Sequence, residues 1–449
     1  MHKELGTKKI FPLLIKFSIP STIAILITMI YNITDRYFIG QYVGRDGLGA
    51  LAIIFPITIL ITGLSLMFTM GGASASGIKL GEKDRDGAEQ VLGTSVFWII
   101  LMGGLMSLLI LIFMTPILKI LGATGGNFNE AYTYNRYLIP FIIFQVAFIA
   151  LNAFIRVEGN PMLSMKINLF GAGLNILLDY IFIAHMDMGV KGAAIGTAVA
   201  SVIPTIYQMI YLIKSKIMSL KLKNIKPNIV VMKRILEIGL GAFYNQLLNG
   251  ITVYIMNIKL NTFGGDLAIA AVGIVMTMRN FINISFIGFN QGRQPILSFN
   301  YGAKNYDRVK ETYLLSTKIV FIISSVLVIS IVGGARFVAG FFVNDTELIA
   351  LTSKALRLNL FLMVSTAVYF STFNYYQAVG KGKKNKNLLI VRVLFLTIPL
   401  LYILPIFMGL NGVWLAVPIA DTIAAIFAIY SMKGEFKELK ASHQVSTQI

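Results

Sequence analysis

The residue most able to do chemistry in this chain is Asp35, an acid that stands inside an otherwise apolar segment, 11–40. A segment of that length can cross a lipid bilayer, for which about 20 apolar residues are enough. An ionisable side chain at such depth costs roughly 2.5–3.5 kcal/mol on insertion scales, and intramembrane charges generally mark a functional site. We therefore predict that Asp35 has a function in binding a proton or a cation. The alternative is that Asp35 lies near the helix end and pairs with Arg36 or Arg45.

A second intramembrane acid, Asp421, falls near the middle of the last apolar segment. Two roles are open for it: an ion pair with Arg392 on the preceding segment, or contact with a cation or drug in a cavity. Basic residues at membrane depth are few, namely Arg279, Arg293, Arg357 and Arg392. A flippase for phospholipids or lipid-linked saccharides would need several basic residues around a cavity to bind the phosphate. Because such residues are few here, a flippase is kept only as the alternative function.

The chain lacks the residue sets of the common catalytic sites. Cysteine is absent, and the three histidines, His2, His185 and His443, fall in the terminal tails or a predicted external turn. Neither a metal site nor a histidine-based triad can then be assembled within the membrane. A Walker-type phosphate-binding motif is also absent, so the chain does not hydrolyse ATP itself. We predict that the protein is not an enzyme, needs no cofactor and is driven by an ion gradient.

Composition is typical of a polytopic membrane protein, because 56% of the 449 residues are hydrophobic and only 13% are charged. The apolar runs predict twelve spans, at 11–39, 49–77, 92–117, 132–155, 161–184, 189–213, 235–260, 267–292, 313–335, 354–378, 388–408 and 411–432. Basic residues concentrate in the even-to-odd connections, which places both termini in the cytoplasm by the positive-inside rule. The net charge of +19 is then a topology signal and does not indicate a nucleic-acid partner, while anionic lipid head groups are secondary contacts.

An internal repeat divides the chain into two halves. Three glycine pairs stand 221 positions apart: Gly44 and Gly265, Gly81 and Gly302, and Gly159 and Gly380. Each half holds six spans, an even number, so the second half enters the membrane from the same side and the repeats are parallel. We predict an all-α membrane protein with an N-terminal lobe at 1–213, a basic cytoplasmic linker at 214–234, a C-terminal lobe at 235–432 and a cytoplasmic tail at 433–449. Two such lobes around a central cavity favour an alternating-access transporter over a passive channel or a receptor.

Three motifs resemble the multidrug and toxic compound extrusion (MATE) family in chain order. They are Asp35-x-x-Phe38-x-Gly40-x-x-x-Gly44, the loop Gly81-x-Lys83-x-x-x-Gly87-Ala88, and Gly192-Ala-Ala-x-Gly196-Thr197-Ala198. The resemblance covers nearly the whole chain and both halves. It implies a multi-pass exporter of the plasma membrane that exchanges organic, often cationic, drugs for H⁺ or Na⁺, and we expect it to act as a monomer.

The resemblance also implies a cation-coupling site in the N-terminal lobe. Asp35 resembles the family's carboxylate on the first helix, Asn175 and Asp179 its second polar pair, and Thr197 and Asn152 its remaining polar members. Tyr31 and Tyr134 are expected to face the same cavity, and Pro20 stands where the first helix of the family bends. Asn152 should lie deeper toward the cytoplasm than Asp35, Asp179 and Thr197.

The C-terminal lobe departs from one branch of the family. Members related to NorM carry acidic residues on helices 7 and 10, whereas here Asn249 stands at the corresponding place on span 7 and span 10 has no acid. The departure favours a DinF-like or MepA-like branch with coupling in the N-terminal lobe.

The identity of the coupling ion is open at this point, and we predict H⁺ over Na⁺. Two carboxylates at similar depth on neighbouring helices cannot both ionise cheaply, so they favour binding of a shared proton. The same acids, with Asn175, Thr197 and Asn152 as further oxygen ligands, could instead hold Na⁺.

Overall fold

The computed structural model describes residues 2–447, and it describes the side chains of residues 4–441. Within that range the chain is almost entirely helical and contains no strand. Helix is the expected state because the backbone of a lipid-embedded segment must satisfy its hydrogen bonds within itself.

Twelve helices are long and apolar enough to cross a membrane, once two irregular segments are interpreted. Helix Ile229–Gly302 would be about 110 Å long if it were straight, but Gly265 interrupts it with φ 59° and ψ −158°. It therefore makes two crossings. A further crossing consists of Thr346–Leu360 and Met363–Ala378, which are bent by 42° at a short break. The predicted fold class, an all-α membrane protein with six crossings in each half, is confirmed for the part of the chain that the structure describes.

The crossings are labelled in chain order. They are α1 Ile10–Tyr42, α2 Arg45–Gly81, α3 Arg85–Ile112, α4 Gly125–Val157, α5 Pro161–His185, α6 Gly189–Ile213, α7 229–264, α8 266–302, α9 Tyr306–Gly333, α10 Thr346–Leu360 with Met363–Ala378, α11 Gly382–Met408 and α12 Leu410–Thr447. Short helices at His2–Thr7, Met114–Ile120 and Ala335–Phe342 lie outside these crossings. The predicted tail at 433–449 begins inside α12, and residues 448 and 449 lie outside the described range.

Backbone-to-backbone contact between α2 and the pair α7 and α8 joins the two halves of the chain. Four glycines lie where an added Cβ atom would overlap a backbone carbonyl of the other half: Gly71 at Ile235, Gly239 at Met67, Gly81 at Phe299, and Gly302 at Ile78. Small residues at such positions allow helix backbones in a membrane to approach closely. All four lie toward the end of the bundle that carries the chain termini. The halves are therefore closed against each other at that end.

The N-terminal segment adds to the same closed end. Asn300 Nδ2 on α8 donates a hydrogen bond to the Leu5 carbonyl at 3.0 Å. Arg308 donates to the same carbonyl at 3.1 Å and to the Lys8 carbonyl at 2.7 Å. Leu5 itself is buried in the core of the C-terminal half. The first residues of the chain thus pack against the second half, and the start of α1 does the same through Leu13 and Phe17.

We predict that Gly71→Ala weakens the contact between the halves, because the new methyl group would overlap the immobile backbone of Ile235. Overpacking of this kind costs about 1–3 kcal/mol, and it should appear as a lower thermal unfolding temperature in detergent micelles. Gly273→Ala is the matched control, since an added Cβ at Gly273 meets nothing within 4 Å. Equal unfolding temperatures for the two variants would contradict the role given to Gly71.

Two buried acids of the N-terminal half hold the segment that connects the halves. Glu158 accepts hydrogen bonds from Ser215 Oγ at 2.6 Å and from the Met218 amide at 3.2 Å. Glu89 accepts from the Ser219 amide at 3.2 Å and pairs with Lys221 at 2.5 Å. The start of the predicted linker is therefore folded onto the ends of α3 and α4 instead of forming a loose tether.

We predict that Glu158 makes stability fall as the pH rises. Burial raises the pKa of Glu158 from 4.5 to about 7, against the hydrogen bonds from Ser215 and the Met218 amide. The folded state therefore keeps a proton that the unfolded state has released, and its stabilisation is complete below pH 4.5 and lost as the pH passes 7. Glu158→Gln keeps the acceptor and removes the titration.

The unfolding temperature of Glu158→Gln should therefore rise relative to that of the wild type as the pH increases from about 5 to 8. The expected change is equivalent to about 1 kcal/mol or more of unfolding free energy. Glu237→Gln is the control, since that acid is half-exposed and pairs with Arg234. A parallel pH profile for wild type and Glu158→Gln would contradict the prediction.

Candidate functional site

Six predicted site residues come together in the N-terminal half, where α1, α4, α5 and α6 meet on the side of the membrane away from the closed end. They are Asp35 and Tyr31 on α1, Tyr134 on α4, Asn175 and Asp179 on α5, and Thr197 on α6. We call this set the acidic cluster. Asp35 and Asp179 lie within electrostatic range of each other, and both tyrosine hydroxyls lie within range of both acids.

The two carboxylates of the acidic cluster are poorly compensated. Asp179 is fully buried, and neither of its carboxylate oxygens has a hydrogen-bond partner within the described residues. Asp35 is half-buried, and its Oδ1 is buried without a partner as well. Arg36 lies in electrostatic range of Asp35, but no ion pair joins Asp35 to Arg36 or Arg45 in the part of the chain described. A buried carboxylate in this condition is costly unless it binds a proton or a cation.

Asn175 and Thr197 link the two helices that flank Asp179. Asn175 Nδ2 donates a hydrogen bond to Thr197 Oγ1 at 3.3 Å, which joins α5 to α6. The amide oxygen of Asn175 is buried and has no partner among the described residues. Because Asn175 and Asp179 are one helical turn apart, this free oxygen stands on the same face of α5 as the carboxylate.

Close approach of α6 to α5 depends on two glycines. A Cβ atom on Gly196 would lie 2.8 Å from Asp179 Oδ1, and one on Gly192 would lie 2.9 Å from Cβ of Phe182. Directly after Asp179 the chain turns as a π-helix, Tyr180–His185, a distortion that often occurs at functional sites. The sequence motif includes Gly196, but its contact with Asp179 becomes visible only in the structure.

We predict that Gly196→Ala impairs transport, because the added methyl group must displace the Asp179 carboxylate or separate α5 from α6. Such crowding should also lower stability by about 1–3 kcal/mol. Gly173→Ala is the matched control on α5, since nothing lies within 4 Å of a Cβ atom there. Substrate export by the two variants in membrane vesicles, compared at equal protein level, is the measurement. Normal export by Gly196→Ala would contradict the positioning role of Gly196.

Asn152, predicted as a further member, is not brought to the acidic cluster. Its Oδ1 accepts a hydrogen bond from Arg156 Nη1 at 3.0 Å and a short one from Ser164 Oγ. Its Nδ2 donates to the Ser164 carbonyl at 3.3 Å. Asn152 therefore joins α4 to the first turns of α5, at the opposite end of α5 from Asp179.

Asp421, predicted to face a cavity, lies in the C-terminal half and is fully buried. Its carboxylate accepts hydrogen bonds from Arg392 Nε at 2.6 Å, Arg279 Nη2 at 3.0 Å and Thr366 Oγ1 at 2.9 Å. Of the two roles open from the sequence, the structure therefore forms the ion pair with Arg392. Sequence reasoning did not foresee the second pair, with Arg279, although that arginine was recognisable as a charge at membrane depth.

Pro20, predicted as the bending point of the first helix, lies inside α1 and is buried. Proline lacks an amide hydrogen, so the carbonyl of the residue four positions earlier, Lys16, loses its helical hydrogen bond. The position is therefore a weak point in α1, between the closed end of the molecule and the acidic cluster.

Twelve helices in two lobes, with an uncompensated acidic cluster inside one lobe, define a membrane transporter fold. Comparison with known proteins gives the family: a MatE profile matches residues 20–181 and again residues 242–403, once in each half. The chain belongs to the MatE family, and the resemblance predicted from the motifs is confirmed.

The chain is similar to named proteins and to proteins of known structure. The chain is 29% identical over 424 residues to the multidrug export protein MepA of Staphylococcus aureus strain MSSA476, covering 94% of this chain and 93% of that protein. It is 29% identical over 439 residues to MepA of Staphylococcus haemolyticus strain JCSC1435, covering 96% of each. A solved structure described as the outward-facing conformation of a multidrug resistance MATE family transporter superimposes with a TM-score of 0.90 at 26% identity, covering 96% of each chain.

Proposed function

We propose that this protein is a multidrug exporter that exchanges organic, often cationic, compounds for protons by alternating access. The observation that carries the proposal is Asp179, a fully buried carboxylate with no partner for either oxygen within the described residues, beside a second acid, Asp35. Such a pair is stable only when it holds a proton or a cation, and it must lose that ion when the surroundings change. Reversible loading of this kind is what couples an ion gradient to transport.

A proton fits the acidic cluster better than Na⁺. Two neighbouring acids can share one proton and relieve their repulsion without any other ligand. A sodium site needs several oxygens fixed around the ion, and the cluster offers the two carboxylates, the free amide oxygen of Asn175 and the hydroxyl of Thr197. Asn152, the fifth predicted ligand, is engaged by Arg156 and Ser164 instead.

The orientation of the protein in the membrane follows from its charges. The side from which the acidic cluster can be reached follows from the closed end. Basic residues concentrate on the side of the termini, which supports cytoplasmic termini in a plasma-membrane protein. The lobes are closed at that side by the glycine contacts of α2 with α7 and α8. The conformation is then the outward-facing one, in which the acidic cluster takes up a proton from outside.

The substrate class rests on the relatives, which are named multidrug export proteins. The acidic cluster suits cationic drugs, because a bound proton and a drug cation can compete for the same two carboxylates. The alternative of a lipid or lipid-linked saccharide flippase needs basic groups for a phosphate, and the acidic cluster would repel that group. The family consists of transporters, so no enzymatic activity is proposed.

We predict that Asp35→Asn abolishes gradient-driven export and leaves the protein folded, because asparagine keeps the shape and hydrogen bonding of aspartate but cannot titrate. The measurement is accumulation of an aromatic cation such as ethidium in everted vesicles or proteoliposomes, with ΔpH and ΔNa⁺ imposed separately. Wild-type protein should follow ΔpH in sodium-free buffer. Asp187→Asn, at an exposed acid of the same lobe, is the control and should export normally.

Two outcomes would overturn the proposal in different ways. A requirement for sodium at fixed ΔpH would make the same residues Na⁺ ligands. Near-normal accumulation by Asp35→Asn would show that the acidic cluster does not couple transport to the ion gradient.

Asp421→Asn should affect coupling less than Asp35→Asn or Asp179→Asn, since its carboxylate is already paired with Arg392 and Arg279.

A further inference from the structure

An open groove lies on the surface of the N-terminal half, where α6 ends and the linker between the halves begins. Its volume is about 470 Å³. The residues along its wall include two tyrosines, two isoleucines and two lysines: Tyr207, Ile210, Tyr211, Lys214, Lys216 and Ile217. We call it the linker groove. Neither the acidic cluster nor Asp421 contributes to it.

The linker groove is formed by a folded turn beneath the end of α6. The helix ends at Ile213, and the linker then turns back, so that the Leu220 amide donates a hydrogen bond to the Leu212 carbonyl at 3.0 Å. Ser219 Oγ donates to the Ile213 carbonyl at 2.8 Å. Free carbonyls at a helix C-terminus would repel an anion, but these two already have donors.

One wall of the linker groove continues the lipid-facing surface of α6. Tyr207 and Ile210 are exposed, and so are Ile203, Ile206 and Ile213 on the same helix. Isoleucine is suited to contact with acyl chains, while tyrosine is enriched at the level of the lipid head groups. The groove therefore crosses the boundary between the hydrocarbon core and the head-group region.

The other end of the linker groove is basic. Lys214 and Lys216 are both exposed, and neither forms an ion pair within the described residues. Lys221 in the same linker differs from them, because it pairs with the buried acid Glu89. The charges of Lys214 and Lys216 are thus available to an anion from outside the protein.

The acid behind the linker groove does not cancel this charge. Glu158 is buried, and it accepts hydrogen bonds from Ser215 Oγ and from the Met218 amide. It therefore binds the linker from the protein side. Burial also raises the pKa of Glu158 to about 7, so at neutral pH this group carries only part of a negative charge.

We propose that the linker groove binds one phospholipid with an anionic head group, its acyl chain along Tyr207 and Ile210 and its head group between Lys214 and Lys216. Lysine ammonium groups bind phosphate as point charges, and basic pockets beside membrane helices on the cytoplasmic side bind lipid head groups. The inference goes beyond the proposed export function and uses only the proposed orientation, with the termini in the cytoplasm. A bound lipid would hold the start of the linker at the membrane surface.

The test is native mass spectrometry of the purified full-length protein, titrated at neutral pH with phosphatidylglycerol or with phosphatidylcholine of the same acyl chains. Wild type should retain one phosphatidylglycerol with at least about tenfold higher affinity than phosphatidylcholine, since each basic residue near a membrane surface contributes about fivefold. The double substitution Lys214→Gln with Lys216→Gln should remove this preference.

The matched control is the double substitution Lys223→Gln with Lys226→Gln, which removes the same charge from exposed positions of the linker outside the groove. It should keep the preference for phosphatidylglycerol. Ile210→Asn tests the acyl-chain wall and should weaken the binding of both lipids.

Equal affinities for the two lipids in the wild type would overturn the inference, whether or not any variant folds. Equal losses in the two double-lysine variants would show that linker charge attracts lipid without a site. Displacement of the lipid by inorganic phosphate at equal concentration, or unchanged binding by Ile210→Asn, would contradict a lipid as the occupant. The measurement uses no ion gradient, so its failure is distinguishable from failure of the antiport proposal.

Discussion

The structure depends on one constraint: a charge inside the membrane must be neutralised, and this chain neutralises its buried charges incompletely in both lobes. Asp179 has no partner within the described residues, and Asp35 beside it makes no ion pair there. Asp421 is surrounded by two arginines, so one positive charge is left over. Each imbalance is costly in a low-dielectric interior. A protein that keeps such imbalances keeps places where an ion or a charged ligand can bind and leave.

Glycine determines how closely these charges and the two lobes are held. Gly196 allows α6 to lie against the Asp179 carboxylate, and Gly71 and Gly239 allow the lobes to meet backbone to backbone. Helix association in lipid gains little from hydrophobic burial, so close packing by small residues replaces it. The proposed alternating-access mechanism requires this contact to separate without unfolding of either lobe.

The two halves of the chain are similar in sequence, but their buried charged residues differ. The MatE profile matches once in each half, and the helices of the two halves follow the same plan. The N-terminal half nevertheless carries the acidic cluster, whereas the C-terminal half carries Asp421 paired with Arg279 and Arg392. Because the backbone plan requires only apolar surfaces and small residues at the contacts, the polar positions inside each lobe are free to differ.

The sequence by itself determined the twelve crossings, the family and most of the acidic cluster, because apolar length, basic loops and short motifs are local properties of the chain. Asp35 was identified from its place inside an apolar segment, and Asn175, Asp179 and Thr197 were identified from the resemblance of the chain to the MATE family. Only the tertiary structure decided that Asn152 hydrogen-bonds to Arg156 and Ser164. It also decided that Gly196 lies against the Asp179 carboxylate. The pairing of both Arg279 and Arg392 with Asp421 was decided in the same way. These contacts join residues from different helices, and helical spacing fixes which face a side chain is on but not which helix that face meets. Rotation and depth of each helix are set by packing, and packing involves the whole chain at once.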